Sequence, residues 1–239
     1  MRSAKILLPA CAALCLATPA FAATITYTTP IGNQATNTLT DAGTGLKAEG
    51  FHADFGSSSL VAENLFIRNE PTVDVGLGIC STGETCGSGT GSGDFNEISN
   101  ENVFEVLRLT LPAGWEWDSL SLSSLDRNDS TDTALWERGQ LLYGSNANPF
   151  LGVTPFQNFV GTANSLWTID LTAISNAPYL FLVAFDWTEG NNTNNDYLLQ
   201  EVVLQGGRGD VPVPEPATLT LLGLGMSAAG VRLRRRRTN

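Results

Sequence analysis

Short stretches of leucine, β-branched and aromatic residues, each closed off by Gly, Asn, Pro or Ser, set what this chain can fold into. The strongest is 179–187, where Tyr179, Leu180, Phe181, Leu182, Val183, Ala184 and Phe185 follow one another ahead of the polar loop 191–195. An apolar run this short, bounded by turn residues, predicts a buried strand. Further strands are predicted over 24–28, 60–67, 73–79, 104–111, 120–125, 135–143, 166–171 and 197–204. In 104–111, Phe104, Val106, Leu107, Leu109 and Leu111 alternate with Glu105, Arg108 and Thr110. The slip at Val106-Leu107 predicts a bulge. In Gly114-Trp115-Glu116-Trp117-Asp118 the alternation puts both tryptophans on one side, the core side. No long segment holds a period of 3.6, and 172–177 suffices for a single turn. The prediction is an all-β ectodomain, an antiparallel β-sandwich. A jelly-roll-like connectivity is expected by analogy with secreted β-domains, because patterning does not give strand order. No internal repeat is present, which disfavours a propeller or solenoid.

The two ends of the chain read differently from its body. Arg2 and Lys5 precede an apolar stretch from Ile6 to Ala17, and Ala20-Phe21-Ala22 fits the small-x-small cleavage rule. Residues 1–22 are therefore expected to be a secretory signal peptide, with the mature chain starting at Ala23. At the other end stand Val213-Pro214-Glu215-Pro216, an uncharged stretch from Ala217 to Val231, and then Arg232, Arg234, Arg235, Arg236 and Arg237. Pro214 and Pro216 fix φ and lack amide donors, so this stretch is extended and open to an enzyme's cleft. Residues 217–231 would reach about 22 Å as a helix, short of a hydrocarbon core of about 30 Å. Arginine stems that snorkel to the interface allow one transmembrane helix even so. The arginines should stay cytoplasmic and leave the body outside.

The order Pro-Glu-Pro, apolar stretch, basic end resembles the PEP-CTERM sorting signal of Gram-negative bacteria, read by a membrane-embedded exosortase. The resemblance covers only 213–237. It implies that Pro214, Glu215 and Pro216, with Arg234, Arg235, Arg236 and Arg237, form the sorting signal. It also implies exosortase as a processing partner and a membrane-held intermediate before release to the surface or beyond. The chain then divides into a signal peptide (1–22), a β-sandwich (23–205), a linker (206–213) and a sorting and anchor segment (214–237).

Between these ends the body carries six basic residues, Lys47, Arg68, Arg108, Arg127, Arg138 and Arg208, against 23 acidic ones, a net charge of −17. Such a body does not attract nucleic acid. Cys80 and Cys86, with five residues between them, are the only cysteines left after signal removal. In an exported chain they are expected to close one structural disulfide loop.

No Ser-His-Asp pattern, zinc spacing or phosphate loop is present, and His52 is the only histidine. The expectation is a protein that is not an enzyme. Calcium is the cofactor the loops could serve, since it takes about six to eight oxygens. Three acidic loops qualify: Asp94, Asn96 and Glu97 with Glu101; Asp126, Asn128 and Asp129 with Asp132; and Asp186, Glu189, Asn191 and Asn194 with Asp196. Asp126, Asn128 and Asp129 are the best-placed metal ligands of the set. Asp and Asn are also what turns prefer, which is the plainer reading. Trp136 and Trp187, with charged neighbours, are the aromatics expected to face solvent.

Exopolysaccharide and biofilm are associated with this type of tag, so a structural or adhesive role in the envelope or matrix is expected. A calcium-dependent carbohydrate-binding module is the alternative, with extracellular polysaccharide as partner. A polysaccharide hydrolase using paired carboxylates ranks third.

Overall fold

A computed structural model describes residues 21–54, 56–69, 74–82, 86, 97–100, 103–125, 137–161, 166–184 and 195–206. The sorting signal, the apolar stretch 217–231 and the expected signal peptide up to residue 20 lie outside these residues. Among the described residues no helix is long and apolar enough to cross a membrane.

The described chain is all-β. Its strands are β1 (Ala22–Thr26), β2 (Gly32–Asn33), β3 (Thr38–Thr40), β4 (Lys47–Ala53), β5 (Val61–Asn69), β6 (Val75–Cys80) and β7 (Phe104–Thr110). They continue as β8 (Trp115–Ser123), β9 (Arg138–Gly144), β10 (Val153–Val160), β11 (Trp167–Asp170), β12 (Tyr179–Ala184) and β13 (Leu198–Gly206). The turn expected in 172–177 is a 3-10 turn at Thr172–Ile174.

Every pairing is antiparallel, and the main path runs β10-β9-β12-β7-β4-β5-β6-β13-β8-β11. β1 joins beside β13, β2 beside β5 and β3 beside β4. The start of β5 pairs with β4 and its remainder with β6, so the path turns there and the sheet is nearly closed as a barrel. β10 and β11 are its two free ends.

The two halves of the path press one core between them. Leu107 and Leu109 of β7, Leu180 and Leu182 of β12 and Leu141 of β9 meet Trp117, Leu120 and Leu122 of β8 and Leu199, Val202 and Leu204 of β13. Each such leucine contributes about 1.5–3 kcal/mol by leaving water. Trp117 is buried and its indole N–H donates to the Ala177 carbonyl at 2.7 Å, while Trp115 packs against the same core. Both tryptophans thus face the side that alternation assigned to them.

β7 corrects one expectation. It pairs with β4 and β12 in unbroken register, so the bulge at Val106-Leu107 is absent. The strand alternates strictly and is apolar on both faces. Leu107 and Leu109 join the core, while Phe104 and Val106 join a second cluster with Ala53, Phe181 and Val183 on the outer face. Phe150 and Leu60 pack over that cluster from the connections.

β4 and β10 carried no strand signal. β4 reads Lys-Ala-Glu-Gly-Phe-His-Ala, and a side chain at Gly50 would stand 3.0 Å from the Glu63 carbonyl and the Leu65 side chain. β10 contains Pro155, where its register with β9 shifts. An edge strand tolerates a missing donor.

β1 pairs residue for residue with the end of β13, from Ala22↔Gln205 to Thr26↔Glu201. The described β-domain therefore begins and ends at the same place.

Candidate functional site

The opposite end of the barrel gathers the polar chemistry. His52 pairs with Glu105, Ala53 with Phe104, Ala184 with Gly139 and Leu198 with Ser123. The ends of β4, β8 and β12 and the starts of β7, β9 and β13 thus lie together. The connections 54–60, 124–137 and 185–197 all leave from here.

Strand alternation directs several polar side chains inward at this end. Glu105, on the inward face of β7 with Leu107, is fully buried. It accepts hydrogen bonds from the Ser81 hydroxyl and, at 2.8 Å, from the Ser99 amide. His52 Nδ1 lies 2.6 Å from Glu63 Oε1, which also accepts from the Thr82 hydroxyl at 2.8 Å. The Tyr197 ring packs edge-on against Phe159, centroids 5.0 Å apart. Its hydroxyl is buried without a hydrogen-bond partner among the described residues. Burial first, and the charge on Glu105 second, push the Tyr197 phenol well above its ordinary pKa.

A second group sits on the far side of β5. Leu65 and Ile67 face the core, which turns Arg68 the other way. Arg68 is buried and donates to Glu97 Oε1, which also accepts from the Ser124 hydroxyl at 2.9 Å. Asp74 Oδ2 lies 3.5 Å from the Arg68 guanidinium. Burial is the largest cause raising the Glu97 pKa, followed by the charge on Asp196. Arg68 and Ser124 act against these, and Asp74 adds to them. Two of the three acidic loops of the sequence therefore contribute Glu97 and Asp196 to one neighbourhood. The third loop begins just beyond Ser124. Asp126, Asn128 and Asp129 themselves lie outside the described residues. Among the described residues no three His, Cys, Asp or Glu side chains stand close enough together to hold a metal ion.

Cys80 and Cys86 are joined in a disulfide, Cα atoms 5.9 Å apart. That separation falls within the usual span of such bridges. The bond ties the end of β6 to the connection that follows. On the outer face, Arg108 donates to Glu49 Oε2 through Nε at 3.1 Å and to the Ala147 carbonyl at 2.6 Å. Its guanidinium lies 4.6 Å from the Phe51 ring centre.

Of the described tryptophans, Trp117 is buried and Trp115 and Trp167 are partly buried against the core. Trp136 and Trp187 lie outside the described residues. A crevice of about 470 Å³ runs along Tyr143, Gly144, Thr154 and 173–178, and an apolar one of about 290 Å³ along Phe104, Leu142, Phe150, Val153 and Val183. Among the described residues, neither is lined by a carboxylate, histidine or cysteine.

The C-terminal segment is decided by comparison with known families. Residues 212–237 match the PEP-CTERM protein-sorting motif. The match spans Pro214, Glu215 and Pro216 and the arginines 234–237. It marks an exosortase-targeted, exported protein destined for the cell surface or the extracellular space. The motif covers about a tenth of the chain and says nothing of the body. No curated protein matches the chain.

The sequence pointed to Glu97 and Asp196 as loop acids but gave no sign of the Glu105, His52–Glu63 and Arg68 contacts. Glu105 stands in an alternating strand, where it reads as a solvent-facing residue. Parity with Leu107 and Leu109 was the signal that could have placed it inside.

Proposed function

We propose that this chain is a structural or adhesive protein of the cell envelope or biofilm matrix, cut by exosortase and delivered as a single acidic β-domain. The PEP-CTERM motif at 212–237 carries the reading. The strand rows support a jelly-roll body: β6-β13-β8-β11 face β7-β12-β9-β10, and apart from the β9–β10 hairpin each successive strand from β6 to β13 changes row. A domain of this kind offers loops at its ends for contact and a rigid body for spacing. In this reading, Pro214, Glu215 and Pro216 are the residues exosortase reads, and 217–231 holds the chain in the membrane until then. Replacing all three by Ala should leave an uncut, membrane-retained chain. An unchanged mature C-terminus and location would refute the sorting role.

A second reading is a calcium-dependent carbohydrate-binding module. It is favoured by the meeting of acidic loops at one end, with Glu97 bound to Ser124 at 2.9 Å and close to Asp196. Binding of the purified protein to the producing cell's own exopolysaccharide, with calcium and then with chelator, separates the two. Saturable binding lost on chelation supports the module, and absence of binding in both conditions leaves the structural role.

A further inference from the structure

β10 and β11 are the two ends of the strand path, and the nearly closed barrel has its gap between them. The crevice of about 470 Å³ lies at this gap, between the first residues of β10 and the turn that follows β11. Tyr179 pairs with both Thr110 and Gly144, which sets the crevice at the end away from the acidic loops. Thr154 pairs with Tyr143, and Tyr143 packs against the core, so both face inward. Thr154 is nevertheless exposed. An inward position of two packed sheets ordinarily fills the core between them. Here it opens into the crevice. Phe156 holds the Tyr143 ring edge-on, centroids 6.3 Å apart at 89°. Ser145, Ser175 and Asn176 complete a lining of hydroxyl and amide groups, with the Asn176 amide donating to the Ser175 hydroxyl at 3.2 Å. Small-ligand sites usually enclose about 300–1,000 Å³.

We propose that this crevice binds a neutral saccharide, and does so without a metal ion. The lining selects the chemistry of the ligand. Among the described residues it carries no charged side chain, and the acidic body repels anions. A purely apolar ligand would strip water from the hydroxyls and the amide without replacing their hydrogen bonds. A peptide strand added along β10 would meet Pro155, which offers no amide, and the register shift beside it. A sugar ring answers both parts of the lining. Its hydroxyls suit Ser145, Thr154 and Asn176, and its C–H face suits the Tyr143 ring, which is apolar in body and polar at the tip. This site shares its ligand class with the carbohydrate-binding reading, on which it rests, but it lies at the other end of the barrel and needs no calcium.

The test uses the full chain in a detergent without a sugar headgroup, titrated with maltohexaose and with cellohexaose while NMR follows the amides of 143–145, 154 and 173–178. One of the two should give saturable shifts confined to those residues and unchanged by EDTA. Ala173→Trp fills the crevice from its exposed rim and should abolish the shifts while the melting temperature is kept. Thr154→Trp, on the opposite wall, is the second blocking variant should the first not fold. Tyr143→Phe should weaken binding about 2- to 12-fold, the loss of one hydrogen bond. No saturable shift with either hexasaccharide, or binding that survives a folded blocking variant, overturns the proposal. So do shifts at 97–100 and 195–198 that vanish in EDTA, which would uphold the calcium-dependent module instead. Absence of both kinds of shift sinks this site alone, since the calcium-dependent reading is tested on the cell's own exopolysaccharide.

Discussion

Gly139 is the position where adding one methyl group should be felt most. A Cβ there would lie 2.1 and 2.3 Å from ring atoms of Phe159 and 2.7 Å from the Tyr197 ring. Ordinary carbon contacts are about 3.5–4.0 Å, so the Phe159 ring would have to retreat by roughly 1.5 Å. It has little freedom to do so: Phe159 is 1 % exposed and stands at 87° to Tyr197, itself fully buried. Overpacking of this kind costs about 1–3 kcal/mol. For a domain of this size that is a fall of roughly 2–12 °C in Tm. Thermal melts of the parent and Gly139→Ala, followed by circular dichroism, give the difference. Adding Phe159→Leu to Gly139→Ala should recover part of the loss, because the two sites share one space. A Gly139→Ala protein within about 0.5 kcal/mol of the parent would refute the packing described for this end of the barrel.

Two further outcomes test separate features. Cys80→Ser should destabilise by roughly 2 kcal/mol on the loop-entropy account, and reductant should bring the parent to the same urea midpoint. Arg108→Ala should cost roughly 2 kcal/mol, since it leaves the part-buried Glu49 carboxylate facing only the more exposed Lys47 among the described residues, 3.6 Å from Oε1. The same change frees the Ala147 carbonyl, so limited proteolysis should cut around that residue sooner than in the parent.

The strands were legible where one residue class dominated. Tyr179 to Ala184, the leucines of β8 and the return at β13 declare themselves through leucine, valine and phenylalanine. β4 did not, because its inward positions are Ala48, Gly50 and His52, chosen for closeness to neighbours and for polar contact. β7 misled in a different way. A strand apolar on both faces has no polar phase, so Val106-Leu107 mimicked a slip. The sorting segment was legible because its three parts occur in a fixed order along the chain. The buried polar end was not, because the partners of Glu105, Glu63 and Glu97 stand between 6 and 29 residues away in sequence. Nothing local distinguishes a glutamate held by such partners from one in water.

β13 has a consequence for how the protein reaches its destination. Export threads the chain from its N-terminus, so β1 crosses first and β13 last. Yet β13 lies inside its row and bonds to β1, β6 and β8. Until residues 198–206 have crossed, β8 and β6 have no strand between them and the core lies open on that side. Closure pairs the first strand with the last, the slowest kind of contact for a chain to find. The sorting segment follows within a few residues. Completion of the fold and emergence of the tag that exosortase reads are therefore nearly one event.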